Sequence, residues 1–166
     1  MENVLSTAVN SANIYDITLE NSNNSALVPV SEHPKEHFRR KNFIYEKIYY
    51  ISDLHLIHKI KKAFPNGATD KEIEQYIRSV VKDIVSSAEW DYQYLLIAGD
   101  VSSDYDITEC FYKHLAASWN PKHIIAVLGN HELWGMGGRI NDIIACYQAM
   151  FDKLNIIFLH NKILDL

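Results

Sequence analysis

Cysteine is scarce: Cys110 and Cys146 are the only two in 166 residues, 36 positions apart. That excludes a disulfide framework and any C-x-x-C pair. It reads as two reduced thiols of a cytoplasmic protein. Long apolar runs are missing as well. No stretch approaches the ~18 residues of a membrane span, so no membrane partner is expected. Met1 to Asn10 has neither a basic residue nor an apolar block and makes a poor signal peptide. Basic charge is in deficit, with 16 Lys and Arg against 21 Asp and Glu and a formal net charge of −5. General binding to a nucleic-acid backbone, which needs a basic face, is therefore not expected. A small phosphorylated substrate held through metal ions stays compatible with that charge. With six glycines and ordinary globular composition, collagen-like, disordered and coiled-coil readings fall away.

What is present divides unevenly along the chain. Residues 1–41 form a polar extension, with Asn21-Ser22-Asn23-Asn24-Ser25 as its most polar run. It is expected either to be partly disordered or to pair Ile14–Leu19 with Ala26–Val30 as an edge hairpin. Glu32–Lys41 reads as a charged short helix or linker, with His33, His37 and Arg39-Arg40-Lys41 as solvated residues. Residues 42–166 carry the folded domain.

There the pattern alternates. Ile48–Ile51, Tyr94–Ala98, His123–Leu128 and Ile156–Leu159 read as strands, and Ile163–Leu166 as the start of another. Thr69-Asp70-Lys71-Glu72 fits a capping box. It opens a helix whose apolar residues, Ile73, Ile77, Val80, Val81, Ile84 and Val85, fall on one stripe. Thr108–Ser118 and Arg139–Leu154 read as further helices. Strands alternating with helices predict an α/β fold with a largely parallel sheet. In such sheets the ligand lies beyond the carboxyl ends of the strands.

The residues just past those ends are Asp53-Leu54-His55, Gly99-Asp100 and Gly129-Asn130-His131-Glu132. Aspartate is a hard oxygen donor and neutral imidazole the commonest nitrogen ligand. In an extended backbone residues i and i+2 point the same way, so Asp53 and His55 are expected to grip one ion. Asp100, with two oxygens, could bridge two ions. Asn130 offers a neutral oxygen to the second. Gly99 and Gly129 permit tight turns and close backbone approach. Gly135, Gly137 and Gly138 are expected to form a flexible loop.

These three segments resemble the first three motifs of the calcineurin-like metallophosphoesterases, over about Ile48 to Leu166. The resemblance implies a sandwich of two β-sheets flanked by helices (αββα) around two divalent metal ions. It implies hydrolysis of phosphomonoesters or phosphodiesters. By that match Asp53 and His55 would bind the first metal, Asp100 would bridge and Asn130 would bind the second. His131 would contact the phosphoryl group and help protonate the leaving oxygen. Two ions ~3.5–4 Å apart can clamp a phosphate and generate the attacking hydroxide. Ligand type alone admits Mn, Fe, Zn, Co or Ni.

The family pattern continues with another histidine and a Gly-His-x-His segment, and neither appears here. The chain is therefore expected to be the N-terminal portion of a longer domain. The rival expectation is a truncated, inactive domain that binds a metal weakly or only a partner. His160, before Asn161, reads as a turn residue rather than a ligand. No Asp-Arg-Gly follows Gly99-Asp100, which disfavours a protein Ser/Thr phosphatase. Asp104 stands one residue away from the place of an Asp partner for the catalytic histidine. Trp134 is expected to pack under its loop, with stacking on a leaving group as the alternative. His58, three positions after His55, is expected on an ordinary surface, with lining the cleft as the alternative, and Cys110 has no base that would make it a nucleophile.

Overall fold

The computed structural model describes residues 15–18, 47–86 and 93–164. Ala26–Val30, Glu32–Lys41 and the last two residues lie outside the described residues. Five strands form one sheet in sequential order: β1 (Tyr15–Thr18), β2 (Lys47–Ile51), β3 (Tyr94–Ala98), β4 (Ile124–Val127) and β5 (Ile157–Phe158). The last four run parallel, and β1 pairs antiparallel along the edge of β2. The first piece of the expected hairpin is thus a strand whose partner is Lys47–Tyr50.

Parallel neighbours need crossover connections, and helices supply them. Between β2 and β3 lie α1 (Leu56–Ala63) and α2 (Asp70–Ser86). Between β3 and β4 lies α3 (Tyr105–Ser118). Between β4 and β5 lie α4 (Asn130–Gly135) and α5 (Ile140–Leu154). Crossovers are right-handed almost without exception. A sheet that grows in one direction therefore receives all its helices on one face. The burial pattern agrees. Tyr49, Ile51, Leu95, Ile97, Ile124, Ala126 and Phe158 join one core with Ile77, Phe111, Leu115, Tyr147 and Phe151 from the helices. Their neighbours Ile48, Tyr50, Leu96 and Ile157, which point the other way, are only half-buried. Among the described residues there is one largely parallel sheet flanked by helices, which agrees with the expected α/β fold and supplies one sheet of the sandwich.

Local chemistry explains the helix ends. At α2 the Glu72 carboxylate accepts the Thr69 N–H at 2.8 Å, and the Thr69 hydroxyl accepts the Glu72 N–H at 3.3 Å. That is the reciprocal capping box read from the sequence. Helix α3 begins at Tyr105, three residues earlier than expected, because Asp104 Oδ1 takes the Ile107 N–H at 3.0 Å. Asp104 is an N-cap. Helix α5 stops at Asn155, which turns left-handed with φ 56°.

Two short helices, α1 and α4, escape the sequence pattern because each starts inside a polar motif. Gly135 is the last residue of α4, not part of a loop. A side chain there would collide with the Ser103 carbonyl. Ile163 and Leu164 form no strand.

Candidate metal centre

Backbone hydrogen bonds sew together the loops after β2 and β3. The Asp53 N–H donates to the Gly99 carbonyl at 3.3 Å, His55 N–H to Asp100 at 2.9 Å, and Leu56 N–H to Val101 at 2.8 Å. Gly99 takes φ +84°, and any side chain on it would strike the Gly129 backbone. A side chain on Gly129 would strike the Asp100 carboxylate. Both glycines are therefore required by close approach.

The glutamate of the third motif completes the stitching. Glu132 is 1% exposed. Its Oε2 accepts the N–H groups of Asp100 (3.0 Å) and Gly129 (2.8 Å), and its Oε1 accepts that of Val101 (2.5 Å). One buried carboxylate thus satisfies three backbone donors from two loops. Sequence reasoning gives Glu132 no role. The only available signal is its place three residues into a helix that opens on Gly129, where a glutamate can reach back to the cap.

The backbone at the site is bent rather than extended. Asp53 (φ 57°), His55 (φ 46°) and Asp100 (φ 57°) are all left-handed. The i, i+2 rule for extended chains therefore does not describe Asp53 and His55. Two left-handed residues still leave Asp53 Oδ1 3.6 Å from His55 Nε2. Such conformations cost energy and gather at functional sites.

The loops bring His55, Asp100 and His131 together, with one ligand atom of each within 4.8 Å of the others. The His55 and His131 rings meet edge to face at 4.5 Å. The other Asp100 contact is structural, since its Oδ1 accepts the His131 N–H at 3.0 Å. Asp53 flanks this triangle and is 64% exposed in its side chain. Asn130, the first residue of α4, is exposed. His55 Nδ1 is buried and has no hydrogen-bond partner.

A divalent ion suits these groups by donor type. Metal–nitrogen and metal–oxygen bonds of ~2.0–2.2 Å hold two ligands of one ion at most about 4.4 Å apart, so donor atoms lying within 4.8 Å of one another would draw closer to share it. The orphaned imidazole nitrogen and the mixed N/O donor set suit such an ion.

An open groove of about 410 Å³ leads away from the triangle, lined by His55, His58, Lys59, Lys62 and His131. His58 thus faces the site, its ring 6.1 Å from those of His55 and His131. The signal for it is helical spacing, because position 58 lies one turn on from 55. Burial lowers the pKa of the Lys59 ammonium. Trp134 is 68% exposed, with its ring 5.0 Å from that of His131. It does not pack under the loop. Cys110 is half-buried, and burial pushes its thiol pKa up, away from nucleophilic use.

A sheet that gathers imidazoles and carboxylates at the carboxyl ends of three neighbouring parallel strands defines a metal-ligating α/β protein. The calcineurin-like phosphoesterase family model matches residues 46–165, and the chain belongs to that family of metal-dependent phosphate-ester hydrolases. Searches of the curated proteins and of the solved structures return no match. Among the described residues no helix is long and apolar enough to cross a membrane.

Proposed function

We infer that the chain carries the metal-binding and leaving-group residues of a phosphoesterase acting on phosphomonoesters or phosphodiesters. The observation that carries this reading is the convergence of His55, Asp100 and His131 within 4.8 Å at adjacent strand ends. Asp53 and His55 would hold a first ion, Asp100 would serve both, and Asn130 would contribute to a second. What divalent ions supply when bound there is Lewis acidity towards a phosphoryl oxygen and a water that ionises near neutral pH. His55 is oriented for its part by the backbone hydrogen bond to Asp100. Asp100 is oriented by the N–H of His131 and by Glu132 beneath it. His131, on the first turn of α4, is assigned the proton that the departing oxygen needs. Exposed Trp134 offers a face to an apolar or aromatic leaving group. The cytoplasm is the compartment in which both thiols stay reduced.

The His131 position also favours a second reading, in which its imidazole is a metal ligand, because it lies inside the triangle. One experiment separates the two. His131→Ala, assayed with Mn²⁺ on an aryl and an alkyl phosphate ester, is expected to keep its metal. It should lose about 10²–10⁴ in rate, more on the alkyl ester, whose leaving group needs a proton. Loss of metal with equal slowing of both esters identifies His131 as a ligand. Absence of turnover by the unaltered chain on every ester identifies the non-catalytic rival.

A further inference from the structure

The first helix carries a feature that ester hydrolysis itself does not use. His55, His58, Lys59 and Lys62 fall at i, i+3, i+4 and i+7, so α1 turns one face towards the groove. With His131 opposite, all five lining residues bear nitrogen donors and none is a carboxylate. In a chain of net charge −5 this is a segregated patch. The contrast lies on the far side of α1. A second groove there, of about 530 Å³, is lined by Asp70, Glu74, Asp104 and Asp106 together with Ile57, Ile73, Ile107 and Cys110. Arg78, Lys113 and Arg139 are each paired with a carboxylate. Among the described residues Lys59 and Lys62, like Lys61, Lys82 and Lys122, have no such partner, and what sets these two apart is that both line the groove.

An unpaired ammonium group that is half-buried beside a metal triangle is costly without an anion. The helix rises about 1.5 Å per residue, which puts Lys59 about 6 Å and Lys62 about 10 Å along the axis from His55. Long side chains reach back part of that way.

We propose that the α1 stripe of His58, Lys59 and Lys62 is a subsite for a second phosphate group. The substrate is then a bisphosphorylated molecule whose other phosphate lies one to two helical turns from the scissile one. This rests on the phosphoesterase reading for the scissile phosphate but adds a separate binding event. The two ammonium groups donate hydrogen bonds to the second phosphate, and His58 contacts it from the nearer turn. A substrate with a single phosphate leaves the stripe empty.

Non-hydrolysable probes isolate binding from turnover. Calorimetric titration of the Mn²⁺-loaded chain with propane-1,3-diphosphonate and with propylphosphonate is expected to show at least about tenfold tighter binding of the first, the effect of one or two charge-assisted hydrogen bonds. Lys59→Gln combined with Lys62→Gln should erase that advantage and leave the monophosphonate affinity unchanged. Lys59→Arg with Lys62→Arg should keep it, and so should Lys61→Gln, outside the groove. Circular dichroism checks that each variant folds. Equal affinity for the two probes, or an advantage that survives in the double glutamine variant, overturns the subsite. If the lysine-dependent advantage is present but no ester is hydrolysed, the subsite stands and the hydrolase reading falls. If esters are hydrolysed without that advantage, the reverse holds.

Discussion

The helix-covered face of the sheet and the rim at its carboxyl end are built on opposite terms. The face is apolar and redundant. Tyr112, Tyr147, Phe151 and Phe158 touch edge to face, stacked or tilted at 4.8–6.2 Å. The rim is polar and sparing. Three left-handed residues, two glycines without room for a side chain and one buried carboxylate hold it in shape. The difference teaches that stability and chemistry are kept in separate places, joined through Glu132. Substitutions on the face should move stability and spare the metal, and substitutions on the rim should do the opposite.

The largest effect expected is on the face. Phe151→Ala leaves a cavity among aromatic rings and should cost about 3–5 kcal/mol, read from urea denaturation. Metal bound per folded molecule should stay the same. A loss of metal in that variant would break the separation.

Glu132→Ala should come next, because it touches both regions. Three backbone donors lose their acceptor, at about 1–3 kcal/mol for each that stays buried. Destabilisation of about 3 kcal/mol should accompany weaker metal binding. Glu132→Gln, which keeps an acceptor oxygen, should recover part of both. A variant that loses stability and binds metal normally would show that Glu132 serves the face alone.

On the rim itself, Asp100→Asn keeps an oxygen for the His131 N–H but gives up the charge that, in the proposed function, two ions would share. It should weaken metal binding by about tenfold or more. Asn130→Ala, at an exposed neutral donor, should weaken it less, and neither should change the urea midpoint by more than about 1 kcal/mol. Metal titration of the two variants sharpens the comparison. Equal or reversed losses would remove the bridging role from Asp100.

The elements were readable to different degrees, for physical reasons. Strands β2, β3 and β4 announce themselves because buried parallel strands are continuous apolar runs, and α2 because its capping box and stripe agree. The three motif segments stand out since polar residues directly after such runs have few structural uses. The direction of the side chains was not legible. Whether Asp53 and His55 meet depends on two left-handed residues, and no periodicity encodes that. The exposure of Trp134 and the approach of His58 depend on α4 and α1, which are too short for a period of 3.6 to show. Glu132 was hidden for a related reason. Two of its three partners are backbone groups 31 and 32 positions away in sequence, and a backbone N–H leaves no letter in the sequence.

The smallest effect lies far from the rim, at the start of α2. Hydrogen bonds from the Thr69 backbone and then its hydroxyl hold the Glu72 carboxyl below its ordinary pKa. A carboxyl lowered in the folded state adds stability above its unfolded pKa and loses it as pH falls through the folded one. Thr69→Val should therefore lower the melting temperature more at neutral pH than in strong acid, since the hydroxyl's bond to the carboxylate counts only while Glu72 is ionised and its cap bond from the Glu72 N–H counts at both. An equal shift at both pH values would assign the loss to the cap bond alone.

The left-handed turns at Asp53, His55 and Asp100 also bear on how such a protein decays. Outside glycine, the residues that tolerate this conformation are mainly asparagine, aspartate and histidine. Two of those three are the residue types proposed here as metal donors, and the third is a near-isostere of one of them. A drifting gene thus has a narrow corridor at each position. Asp53→Asn or His55→Asn keeps the turn and surrenders charge or the imidazole, whereas most other replacements strain the loop. Descendants that abandoned catalysis by this route would fold like the parent and bind metal poorly. Their shape alone would not betray the change.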